Sequence, residues 1–159
     1  YFKVEKQVVK YEMLTRPSDR YSGVHKLFDF EEGSTNFADG NWLGFSGNDL
    51  EFTTKISASE SIKNITVSCM ESIGGWIIYP KSIRVYGRSG EGSFSEIGSY
   101  DYRPKKIPTE TTKKSFTLPI QVEDHTEIKL VVQNVGKLPQ WHPAAGNEAW
   151  LFVDEILFW

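Results

Sequence analysis

The chain has 159 residues, a net charge of −3 and 25% charged residues, which fits one compact domain, since single cores usually run from about 50 to 200 residues. Its longest basic runs are the pairs Lys105-Lys106 and Lys113-Lys114, short of the clustered basic face that nucleic acid requires. No apolar run approaches the ~18 to 20 residues of a membrane span, so neither nucleic-acid binding nor membrane insertion is expected.

Hydrophobic alternation with period 2 recurs along the chain, and no stretch keeps the i, i+3, i+4, i+7 spacing of a helix over three turns. Residues 4–11 are the first candidate strand. Leu50, Phe52, Thr54 and Ile56 form one face of a second, Ile65, Val67 and Cys69 mark a third, and Ile83, Val85 and Gly87 a fourth. Residues 87–94 (GRSGEGSF) read as a hairpin turn whose glycines can take positive φ, with residues 94–100 returning. After a Lys/Pro/Thr-rich loop at 103–114, Phe116, Leu118 and Ile120 alternate, then Ile128, Leu130 and Val132. Residues 149–159 are apolar on both faces apart from Asp154 and Glu155, the pattern of a strand covered on both sides. About eight short strands separated by turn signals predict an all-β antiparallel sandwich or jelly roll, with residues 1–159 as one domain. The chain opens at Tyr1 without a signal peptide, and is expected to be a piece of a longer secreted protein.

Catalytic signatures are missing. His25, His125 and His142 lie far apart and in no zinc-ligand spacing, and there is no nucleophile elbow, P-loop or dinucleotide fingerprint. The one cysteine, Cys69, reads as a buried strand residue. With 21 acidic residues, a glycosidase carboxylate pair can be drawn in many ways, but nothing singles one out. The chain is expected not to be an enzyme.

Two loop-rich regions carry more information. Residues 27–45 (LFDFEEGSTNFADGNWLGF) gather the oxygen donors Asp29, Glu31, Glu32, Ser34, Thr35 and Asn36 around Gly33. Calcium takes six to eight oxygen ligands from loops of such composition; an ordinary solvated acidic turn accounts for it equally well. Residues 136–149 (GKLPQWHPAAGNEA) set Trp141-His142 between two prolines, which restrict the loop. A fixed Trp141 can stack on the apolar face of a pyranose, with His142 and Asn147 hydrogen-bonding its hydroxyls. The competing reading has Trp141 capping the end of the core.

Residues 39–50 (DGNWLGFSGNDL), residues 76–87 (WIIYPKSIRVYG) with the glycine hairpin and Phe94, and residues 150–157 (WLFVDEIL) together resemble discoidin-like domains, that is, coagulation factor type C domains and family 32 carbohydrate-binding modules. With residues 140–143 (QWHP) added, the pattern most resembles the C-terminal domains of Bacteroides-type chitobiases, which are β-N-acetylhexosaminidases. The resemblance covers nearly the whole chain from Tyr21 onward. It implies a jelly roll of galactose-binding-like topology, an extracytoplasmic location (periplasmic, cell-surface or secreted) and the catalytic domain of a parent hydrolase as partner. It also implies a structural calcium, carried here onto Asp29, Ser34, Asn36 and Glu155. Two departures stand out: Asp29 is followed by Phe30 rather than glycine, and the hairpin reads Ser89-Gly90-Glu91-Gly92 rather than Ser-x-Asp-Gly.

The expectation is thus a non-catalytic module binding a terminal galactose- or N-acetylhexosamine-type sugar through Trp141, His142 and Asn147. The alternative is a structural inter-domain module without a ligand.

Overall fold

The computed structural model describes residues 10–23, 27–28, 32–56, 61–104 and 106–159. Nine strands follow in order: β1 (Lys10–Met13), β2 (Leu43–Ser46), β3 (Leu50–Lys55), β4 (Asn64–Glu71), β5 (Ser82–Arg88), β6 (Ser95–Asp101), β7 (Thr112–Pro119), β8 (Glu127–Gln133) and β9 (Trp150–Phe158). A single helical turn at Asp19–Tyr21 lies between β1 and β2. The strands form two antiparallel sheets, β1-β3-β8-β5-β6 and β2-β9-β4-β7. The all-β sandwich read from the alternation is the fold of the molecule.

The strand count rises from eight to nine because of β2. Its first three residues, Leu43, Gly44 and Phe45, lie inside the 27–45 segment taken as loop-rich; these three are buried and no polar residue alternates with them until Ser46, so a period-2 pattern never develops. Of the expected first strand, Lys10 and Tyr11 lie in β1, which continues to Met13 and pairs with β3 through Tyr11↔Thr54 and Met13↔Phe52, while residues 4–9 lie outside the described residues. The 87–94 hairpin joins β5 and β6 as expected, with Gly90 at φ 56°.

One inward-facing side chain from every second position fills the space between the sheets. Phe52, Val67, Cys69, Val85, Phe116, Leu130 and Leu151 belong to this core and are essentially inaccessible, and Cys69 is a buried free thiol as the strand context implied. A second, smaller apolar layer lies on the other face of the four-stranded sheet. There Trp42, Met70, Ile77 and Phe152 are buried, and Tyr21, Phe37 and Trp150 pack against them. This layer is why β9 is apolar on both faces: Leu151 and Val153 serve the inner core while Trp150 and Phe152 serve the outer one. Gly44 is required between them, since a Cβ there would stand 2.8 Å from the Phe152 ring.

β9 then changes phase. Its register with β4 runs Met70↔Phe152, Cys69↔Val153, then Ser68↔Glu155, so Asp154 is an extra residue forming a β-bulge. Val153 and Ile156, three apart, both belong to the inner core, and the alternation leaves Asp154 and Glu155 together on the outer side. Two carboxylates in an apolar strand thus have a backbone cause.

Candidate functional site

The antiparallel order brings the β2–β3, β4–β5, β6–β7 and β8–β9 connections to one end of the sandwich. Asn134, buried just after β8, ties the β2–β3 and β8–β9 segments together. Its side-chain amide donates to the carbonyls of Phe45 and Ala149 at 3.1 Å each, its Oδ1 accepts from Gly136 N–H at 2.9 Å, and its own N–H donates to Asp49 at 2.9 Å. The loop that follows is closed at its base by Ala149 N–H to the Gly136 carbonyl and by Leu138 N–H to the Asn147 carbonyl.

Within this loop His142 is buried, and both ring nitrogens are occupied. Nδ1 accepts from Ala144 N–H at 2.9 Å, which leaves Nε2 as the protonated nitrogen, donating to the Ile73 carbonyl at 2.9 Å. His142 therefore fastens the 136–149 loop to the β4–β5 loop, and no ring nitrogen remains for a sugar hydroxyl. Trp141 is half-buried, resting on the small cluster of Ile78, Leu138 and Ala149, so one part of the indole caps that cluster and another faces solvent. Asn147 is exposed and donates to the Ala144 carbonyl at 2.8 Å. The three residues share one loop tip, but only Trp141 and Asn147 present surface outward.

The 32–42 loop uses its oxygens differently. Asp39 accepts from Ser34 N–H and Ser34 Oγ at 2.7 Å each and from Asn41 N–H at 2.9 Å; Asn36 Oδ1 accepts from Ala38 N–H at 3.0 Å. Burial works against the Asp39 charge, but the amides of Ser34 and Asn41 together hold its carboxyl below the ordinary value of 3.8. The loop is fastened to the sheet from below. Gly33 N–H donates to the fully buried Asp154 carboxylate at 2.6 Å, and Trp42 Nε1–H donates to the Ser34 carbonyl at 2.9 Å. Lys113 of β7 reaches the Gly33 carbonyl and lies 3.7 Å from Asp154 and 3.6 Å from Glu32. Only glycine fits at 33, because a Cβ would stand 2.3 Å from the Trp42 indole nitrogen. Burial pushes the Asp154 carboxyl above its ordinary value, against the pull of Ser68, Gly33 N–H and Lys113.

These positions bear directly on the calcium expectation. Ser34 and Asn36 are exposed and engaged within their own loop, whereas Glu155 is buried in the sheet. Asp29 lies outside the described residues. Among the described residues no three acidic, histidine or cysteine side chains converge on a point. The donors that are described do not by themselves match a calcium shell of six to eight oxygens.

A third region was not visible in the sequence. Tyr21, Phe37 and Trp150 rise around the buried Phe152 and Ile77 and leave a cleft of about 220 Å³ on the outer face, which adjoins a wider hollow of about 450 Å³ toward Gly40 and Trp42. The aromatic run in β9 was the available signal: Trp150 and Phe152 at alternate positions opposite Leu151 and Val153 require a second apolar layer.

No protein-family model matches the chain, and no curated protein matches it. Solved structures do. A family 32 carbohydrate-binding module of a family 89 glycoside hydrolase from Clostridium perfringens superposes with TM-score 0.54 at 13% identity, over 94% of this chain and 93% of that one. A module of the same type from a family 31 glycoside hydrolase of that organism gives TM-score 0.55 at 7% identity, over 96% and 89%. The C-terminal domain of a Bacteroides fragilis chitobiase also matches, at TM-score 0.48 and 11% identity, over 97% and 95%. The chain has the fold of the discoidin-like domains, as the resemblance in its sequence implied.

Proposed function

We propose that this chain is a non-catalytic carbohydrate-binding accessory module of a secreted or surface glycoside hydrolase of chitobiase type. It takes a terminal galactose- or N-acetylhexosamine-type sugar at the loop end of the sandwich, outside the cytoplasm. The observation that carries the reading is Trp141, an indole held half-exposed in a loop that two prolines, Asn134 and His142 keep rigid. A fixed aromatic surface stacks on a pyranose without first losing conformational entropy. Trp141 supplies the stacking surface and Asn147 a directional polar contact, while His142 holds both in place. The fold shared with modules of glycoside hydrolases supports this use. Single sites of this kind are weak, and avidity comes from repetition along the glycan or the parent enzyme.

Calorimetric titration with N-acetylglucosamine, N-acetylgalactosamine and galactose tests the reading. Saturable binding of one of them is expected, weakened roughly tenfold by Trp141→Ala, the scale of a lost aromatic contact. An affinity unmoved by that substitution removes the site. Absence of binding to all three, with co-purification of the parent catalytic domain, would favour the inter-domain alternative.

A structural calcium held by Asp29, Ser34, Asn36 and Glu155, the set that the sequence resemblance implies, is the second part of the proposal. An ion bound only by the folded state raises its stability by mass action. A chelator should therefore lower the melting temperature, and an unchanged melting curve removes the ion.

A further inference from the structure

The cleft on the outer face of the four-stranded sheet has the features of a ligand site, and they are separate from the Trp141 loop. Its floor is the buried pair Phe152 and Ile77. Its walls are the half-buried rings of Tyr21, Trp150 and Phe37: Tyr21 and Trp150 have centroids 5.7 Å apart at 87°, and Phe37 meets the Phe152 floor at 5.9 Å and 89°. The Tyr21 hydroxyl and the Trp150 indole N–H make no hydrogen bond among the described residues, so polar groups remain on apolar walls. The adjoining hollow of about 450 Å³ shares Arg20, Tyr21 and Phe37 with the cleft and lies within the usual range for small-molecule sites, roughly 300–1,000 Å³.

Two further observations point to an occupant. The first is charge. Asp19 is paired with Arg16 at 3.3 Å, whereas its neighbour Arg20, exposed and with its guanidinium carbon 5.7 Å from the centre of the Tyr21 ring, has no acidic partner among the described residues. Among the described residues this guanidinium is uncompensated, and it borders both hollows on a protein whose net charge is −3. The second is strain. In the β4–β5 turn it is Trp76, and neither of its neighbours Gly74 and Gly75, that takes the left-handed conformation, at φ 62°. A bulky residue held there is strained and persists only where the surroundings over-determine it. Hydrogen bonds do so here: Trp76 N–H donates to the Ile73 carbonyl and the Trp76 carbonyl accepts from Trp150 N–H. The strained turn sets its neighbours Gly75 and Ile77 in the lining of the cleft, while Trp76 itself is 39% exposed.

We propose that this cleft is a second binding site, and that it takes a pyranose bearing a carboxylate. Apolar ring faces stack on Trp150 and Tyr21, hydroxyls meet the phenol and indole N–H, and Arg20 receives the carboxylate through its two-pronged donor edge, a geometry lysine cannot supply. The site is independent of the Trp141 reading and stands or falls apart from it.

Titration of the isotope-labelled chain with galacturonate, and separately with galactose, tests this, because the two sugars differ only in the C6 group. Saturable shifts of the Trp150 indole signal are expected with galacturonate, with an affinity roughly tenfold above that for galactose, the scale of one charge-assisted contact. Arg20→Gln, an exposed position whose replacement leaves the fold intact by its unchanged spectrum, should abolish the preference. Arg20→Lys should retain only part of it, and Trp141→Ala should leave it unchanged. Equal response to both sugars, a preference surviving in Arg20→Gln, or no response of the Trp150 indole would overturn the proposal.

Discussion

The two loops that stood out in the sequence are held by opposite means. The 136–149 loop is closed mainly by itself: two backbone hydrogen bonds shut its base and His142 reaches one carbonyl on the adjacent turn. The 32–42 loop is fastened by groups distant in sequence, with Asp154 lying 121 residues from Gly33 and Lys113 lying 80. A loop that carries its own fastenings can present a side chain whatever lies beneath it. A loop fastened to a sheet instead covers that sheet, and its polar atoms are engaged in staying there. Composition alone makes both look like ligand sites; the location of their partners separates them.

The contrast can be broken most severely at Asp154. Asp154→Ala leaves Gly33 N–H and Lys113 without their buried acceptor, and the cost should be about 3 kcal/mol, the range for breaking a buried pair from one side. Urea unfolding should show the loss as a lower midpoint at unchanged slope, and a loss below the error of the extrapolation would show that the loop does not depend on the sheet. His142→Ala should be milder, about 2 kcal/mol for two hydrogen bonds whose partners can reach water. Its mark should be local: hydrogen exchange at Ala144 should accelerate while exchange in β8 stays protected, and uniform acceleration would contradict the picture of a self-closed loop.

The smallest effect concerns pH. Burial raises the carboxyls of Asp154 and Glu71 above their ordinary values of 3.8 and 4.5, so the folded state holds these protons more tightly than the unfolded one. That contribution to stability is complete below the ordinary values and is lost as the pH rises through the raised ones. Asp39, with its lowered value, acts in the opposite sense, its contribution disappearing as the pH falls. Between the ordinary values and neutrality, stability should therefore decline gently with rising pH, and Asp154→Asn should flatten the decline. A variant with the slope of the parent chain would exclude Asp154 as its source.

The inner core was legible because its signal is local: Ile65, Val67 and Cys69, or Ile128, Leu130 and Val132, declare a face by alternation alone. β2 was not, since three successive buried residues, Leu43, Gly44 and Phe45, carry no alternation. The Trp141 loop was legible as a stiff element through its prolines, but the inward turn of His142 depends on the Ile73 carbonyl, a tertiary partner that spacing does not announce. The outer aromatic cleft was half legible: Trp150 and Phe152 called for a cover, but nothing in the intervening sequence named Tyr21 and Phe37 as the cover. Ser34 and Asn36 have a calcium-like composition, and it is Asp39 five residues on that claims the Ser34 hydroxyl and amide.

The bulge in β9 can also be regarded as an insertion. With residue 154 taken out, Phe152, Glu155 and Leu157 would fall on one face and Val153, Ile156 and Phe158 on the other, an uninterrupted ladder with a single acid on the outer side. The sheet itself has no use for the extra residue; its beneficiary is the segment above, which gains a buried acceptor for Gly33 at the one place where the strand's own pairing leaves a residue over. Strand length here is set by what the strand covers and is covered by, and a one-residue gap at this point would spare the sandwich while releasing the layer that walls the cleft.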